Sequence, residues 1–109
     1  MTTTIQTATT ITTATFIRRL DGWCGDARLY RLSQPTTYYR DSGKAASTNY
    51  VIVSAIELPS AAGNYGGCET YIFPASEAGE VLSWGELKGS TKGTIFHEVA
   101  IEEAGWVLR

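Results

Sequence analysis

His97 and Glu98 form the only adjacent histidine–carboxylate pair in the chain, and His97 is its only histidine. A general acid–base pair must converge on one substrate atom. Neighbouring helical residues point about 100° apart, so these two cannot serve each other. No Ser or Cys stands in a G-x-S-x-G elbow. His97 is therefore expected to pack or cap in the first turn of a helix. Asp21, Asp26, Glu69, Glu80 and Glu86 fall in or near turns. Two carboxylates ~5–10 Å apart could hydrolyse a bond. The expectation here is solvated turn acids, with Asp21 and Asp26 making Asx turns around Trp23. No catalytic residue is assigned on this pattern. Cys24, Cys68 and His97 supply three ligands and no closely spaced cysteine pair. No metal site and no cofactor are expected, and the two thiols are read as reduced.

Binding residues are more numerous. Trp23, Tyr38, Tyr39 and Tyr65 are aromatic residues in loop-like segments, fit to anchor a protein partner. Glu98 and Glu102, with Glu103, make an acidic helix face that suits a basic partner surface. A ligand-binding alternative rests on Arg28 and Arg31 with the turn Gly63-Asn64-Tyr65-Gly66-Gly67. There the backbone N–H groups of Gly66 and Gly67 could meet a phosphate, although the P-loop lysine is missing. Arg18, Arg19 and Arg40 also lie early in the chain beside Tyr30, Tyr38 and Tyr39, a mixture that can stack on nucleic acid. Nine Lys+Arg against eleven Asp+Glu give a formal charge of −2. That balance argues against a nucleic-acid partner.

The elements that must position these residues follow from periodicity. The 109 residues are 43% apolar and 18% charged, which suits one small globular domain. Residues 1–14 are mostly Thr and uncharged, and are expected to be a flexible arm. Residues 15–109 are expected to be a single α+β domain. Strands are predicted over 15–20 and 27–33, joined by a Gly- and Asp-rich connection. A long polar loop is predicted over 34–48, with a short strand at 36–40. Residues 50–58 (YVIVSAIEL) are apolar on both faces, so this strand should be central. A glycine-rich turn at 60–67 leads to a strand at 68–73, closed by Pro74. Residues 80–87 are uneven. One helix is predicted near the C-terminus, with Thr94 as N-cap and His97, Ala100, Ile101 and Ala104 on one face. Gly105 fits the left-handed position after its end. The fold class is therefore α+β: an antiparallel sheet of four or five strands with one C-terminal helix packed on it.

Five short blocks occur in order: Trp23-x-Gly25-Asp26-Ala27-Arg28-Leu29-Tyr30-Arg31-Leu32; Tyr50-Val51-Ile52-Val53-Ser54-Ala55; Glu69-Thr70-Tyr71-Ile72-Phe73-Pro74-Ala75; Gly79-Glu80-Val81 with Trp84-Gly85-Glu86-Leu87-x-Gly89-Ser90; and His97-Glu98-x-Ala100 with Ala104-Gly105-Trp106. Together they resemble a family of small, uncharacterised proteins encoded by tailed phages and prophages. The resemblance covers roughly residues 20–107. Residues 34–49 and 58–68 are longer here than in the family pattern, and the Thr-rich arm is peculiar to this chain. No block is a catalytic signature, so the resemblance transfers no site residue. It implies a setting, a small accessory phage protein acting inside a bacterium.

The expected function is thus non-enzymatic. The chain would bind a host protein and inhibit or redirect it, with an anti-defence inhibitor as the most concrete form. The alternatives are a protein that binds or sequesters a small ligand such as a nucleotide signal, and a small carboxylate-dependent hydrolase. A structural role in the virion rests only on the Thr-rich arm. A homo-oligomer is compatible with this composition. The N-terminus has neither the basic patch nor the apolar segment of a signal peptide. No apolar run approaches the ~20 residues of a membrane span. The expected location is the cytoplasm of the host bacterial cell.

Overall fold

A computed structural model describes residues 11–57, 68–85, 87, 91–92 and 96–109. The elements are β1 (Thr13–Leu20), β2 (Asp26–Tyr39), β3 (Ala45–Glu57), β4 (Cys68–Ala75), β5 (Thr91–Lys92), α1 (His97–Glu103) and β6 (Val107–Leu108). Among the described residues they build one sheet of six strands in the order β5-β4-β3-β2-β1-β6. The fold is α+β, as expected. The sheet is mixed and not purely antiparallel, because β6 pairs with β1 in parallel through Thr13–Val107 and Ala14–Leu108. Parallel neighbours need a crossover. Here the chain reaches β6 through α1, and a strand of two residues carries no periodicity to reveal its direction.

The run 50–58 lies within β3, between β2 and β4. Val51, Ile52, Val53, Ser54 and Ala55 are all buried there. Their side chains divide between two clusters. Val51 and Val53 join Ala14, Tyr30, Leu32, Ile72, Ala100 and Ile101. Ile52 joins Ala27, Leu29 and Ala75, with Leu20, Trp23 and Val81 against them. Strand alternation thus gives a core on each face of the sheet.

Three expectations need correction. The segment 34–48 is not a long loop. β2 continues to Tyr39 and pairs with β3 through Thr36–Thr48 to Tyr39–Ala45. The β-prone run Thr36-Thr37-Tyr38-Tyr39 favours this. Gly43, at φ 84°, closes the hairpin, its N–H donating to Arg40 O at 2.7 Å. Pro35 is tolerated because the register breaks between Arg31 and Thr36. Asn49 Nδ2 donates to Leu32 O at 3.2 Å across that break. The N–H of Thr13 donates to Ser33 Oγ at 2.8 Å on its other side. Second, Pro74 does not end β4; it lies opposite Val51, and its carbonyl accepts the Leu82 N–H at 2.9 Å. Third, the expected boundary between arm and domain at 14/15 cuts into β1, where Ala14 is fully buried. The arm residues 1–10 and the turn 60–67 lie outside the described residues.

After β4 a tight turn with Gly79 at φ 86° sends the chain back along the β4 edge. It meets that edge at Val81 and Leu82, again at Leu87, and again in β5. Residues 83–85 leave the ladder between those points, which accounts for their uneven pattern. The sheet curls enough for this turn to reach β1, three strands away. Arg18 Nη2 donates to Ala78 O at 2.6 Å. A Cβ on Gly79 would come within 2.9 Å of Leu20 Cδ2.

The helix is shorter than its pattern. Thr94, the expected N-cap, lies outside the described residues, and Phe96, whose side chain cannot cap, holds the N-cap position. His97, Ala100 and Ile101 form the buried face, as the spacing predicts. The helix ends in a Schellman motif. Gly105, at φ 89°, donates to Glu102 O at 2.9 Å, and Trp106 donates to Ile101 O at 3.1 Å.

Candidate functional site

Among the described residues, four aromatic rings gather on the sheet face opposite α1. Tyr71 and Phe73 project from β4, two residues apart and therefore on one face, with ring centroids 6.1 Å apart. Trp23 reaches them from the β1–β2 connection, its centroid 6.2 Å from Phe73. Trp84 comes from the excursion at 83–85 and packs edge-on to Phe73 at 5.3 Å. Trp23 and Trp84 are 5.8 Å apart with their planes inclined at 45°. Such tilted pairs suit the ring quadrupoles.

Local backbone explains how the two tryptophans meet. Gly22 takes φ 84°, which lets the chain turn sharply out of β1. At Gly25 any Cβ would overlap the Ala55 carbonyl oxygen, so the connection lies directly on β3. Trp23, between these glycines, is pressed toward the sheet and is half-buried. Trp84 is 69% exposed although it packs against both Trp23 and Phe73. Beside the pair runs a groove of about 610 Å³, lined by Gly22, Trp23, Cys24, Ile56, Gly79, Glu80, Val81 and Trp84. Cys24 is an exposed free thiol.

A polar cluster lies on the other face. Asp26 Oδ2 accepts from Arg28 Nη2 at 2.9 Å and from Arg19 Nη2 at 3.4 Å. Arg28, bonded to Asp26, holds that carboxyl below its usual range. Asp26 thus meets two guanidinium groups and not a second carboxylate, an arrangement that keeps it ionised. His97 is 3% exposed, and its Nε2 lies 2.7 Å from Asp26 O. A carbonyl can only accept, so Nε2 carries the proton. Burial pushes the imidazole below its ordinary pKa and keeps it neutral. Burial also raises the Tyr30 phenol, against the opposing pull of Arg28. This chemistry ties α1 to the start of β2. It is the packing role expected of His97.

A smaller cleft of about 370 Å³ lies between α1 and β6, lined by Glu98, Ile101, Glu102, Trp106, Val107 and Leu108. The two glutamates stand one turn apart on the exposed helix face, as their spacing predicts.

The residues singled out in the sequence thus scatter. Trp23 joins the aromatic cluster. Tyr38 is 6% exposed, so its hydroxyphenyl group is buried and not a loop anchor. Tyr39, at the end of β2, is 68% exposed. Arg28 is engaged with Asp26, while Arg31 is exposed on β2. Tyr65, Gly66, Gly67 and Glu86 lie outside the described residues. Trp84 is the site residue that sequence reasoning missed. Its signal is a lone Trp between Ser83 and Gly85 in a segment of no fixed period. Among the described residues no group of three or more His, Cys, Asp or Glu is placed to hold a metal ion. No described helix is long and apolar enough to cross a membrane. Comparison with protein-family models, with curated proteins and with solved structures finds no match.

Proposed function

We propose that this chain is a non-enzymatic accessory protein of phage origin that binds a host protein in the bacterial cytoplasm and inhibits or redirects it. Anti-defence inhibition is the most concrete form of that role. The observation that supports it is Trp84, largely exposed yet braced by Trp23 and Phe73. A rigid exposed tryptophan loses little conformational entropy on docking and buries a large apolar area. Those are the properties of an interface hot spot. The test is capture of a partner from host lysate by the tagged full chain, read by native mass spectrometry. Trp84→Ala removes a side chain that is mostly outside the core, so the melting temperature should stay within a few degrees of wild type. Partner recovery should fall roughly tenfold or more. Undiminished recovery with Trp84→Ala overturns the proposed surface.

The groove itself favours a second reading. Its volume of about 610 Å³ is of the size used for small organic ligands. A small-ligand protein would show a raised melting temperature with one member of a nucleotide panel. A flat panel removes that reading and leaves the first intact.

A further inference from the structure

We propose that the groove beside Trp23 and Trp84 receives a cationic side chain, Arg or Lys, presented by the protein partner. The inference rests on the protein-binding reading above and names the chemistry of the partner at that surface.

Among the described residues, Glu80 is the only charged residue lining the groove. The rest of the wall is apolar or aromatic, with Trp23, Trp84, Ile56 and Val81. An indole face carries negative potential and attracts a cation within about 6 Å of its centre. A carboxylate at the same wall adds to that attraction. An apolar occupant would strip water from Glu80 without replacing it, and an anion would also be repelled. A cation satisfies both features at once.

The main chain at Glu80 is held by the turn. Its carbonyl accepts the Ser76 N–H at 2.9 Å, and its own N–H donates to Ser76 Oγ at 3.1 Å. Gly79, at φ 86°, holds the turn against Leu20. Arg18 reaches the same turn, but its guanidinium is bonded to Ala78 O at 2.6 Å and does not line the groove. The exposure of Trp84 argues for a side chain and not a free small cation. A free cation would leave that indole face wet, whereas a side chain arrives with a protein surface that covers it.

The wild-type chain is titrated with N-acetyl-arginine methylamide and, separately, with the neutral isostere N-acetyl-citrulline methylamide. Two readouts report on the groove: tryptophan fluorescence and the alkylation rate of Cys24. The latter is followed by peptide mass spectrometry, so that Cys68 is read separately. The arginine amide should perturb the fluorescence and slow Cys24 alkylation. The citrulline amide should act at least about fivefold more weakly. Glu80→Gln should narrow that difference, and Trp84→Ala should weaken both responses. An equal response to the two amides, or none to either at saturation, overturns the proposal. Partner capture separates this failure from that of the broader reading. If Trp84→Ala loses capture while wild type shows no arginine preference, the surface stands and the cation does not. If wild type prefers arginine while Trp84→Ala captures undiminished, the groove takes a cation but is not the partner surface, and the proposal as stated fails.

Discussion

Ser54 sits at the centre of β3 with its side chain fully buried, and its Oγ has no hydrogen-bond partner among the described residues. A buried hydroxyl in that state costs ~1–3 kcal/mol of desolvation without return. Ser54→Ala should therefore raise the unfolding free energy by about 1 kcal/mol in urea titration. A loss of stability would mean that the hydroxyl is satisfied. His97 gives a second test at this scale. Its folded pKa lies below the unfolded value, which is about 6.5. The unfolded chain then takes up the proton first as pH falls. Stability should be complete above that pH and decline as the pH falls below about 6.5. The chain has one histidine, so His97→Gln should flatten this slope without ambiguity. The packing role of His97 was legible from its place on the apolar helix stripe. The exposure of Trp84 was not, because a residue in an aperiodic segment can face either way.

At the scale of elements, glycines decide where the connections go. Gly25 lies against the β3 backbone so closely that a methyl group cannot be admitted. Gly25→Ala must push the β1–β2 connection off the sheet and take Trp23 with it. The expected loss is about 3 kcal/mol or more, with a change in near-UV circular dichroism from the displaced indole. An unchanged spectrum and stability would show that the connection can lie elsewhere. The β3 core was legible because it is apolar on both faces. The β2–β3 hairpin was not, for a specific reason. Gln34 and Pro35 read as loop residues, and they do occupy a break in the ladder, but the strand resumes beyond them. Pairing from Thr36 onward is decided by the partner strand across the turn, which no local pattern contains. The same applies to Pro74, whose missing N–H is harmless at its place in the ladder.

At the scale of the whole molecule, the curled sheet separates two chemistries. One face carries α1 and the polar cluster around Asp26; the other carries the aromatic corner and its groove. Changes at Trp84 and at His97 should therefore be independent. The double variant Trp84→Ala/His97→Gln should lose stability equal to the sum of the singles, within about 0.5 kcal/mol. A larger coupling would show that the two faces communicate through β2 and β3. The strand order carries a further consequence, one of timing. β2, β3 and β4 are joined in sequence to their neighbours, whereas β6 must find β1 across nearly the full described chain. Such distant pairing forms slowly, and a two-residue strand has little to hold it. In heavy water the amides of Val107 and Arg109, which donate to Thr12 and Ala14, should be the first strand amides to take up deuterium. Those of Val51 and Val53 should be among the last. The outermost pairing of this sheet is then a latch that opens and recloses many times in the life of each folded molecule.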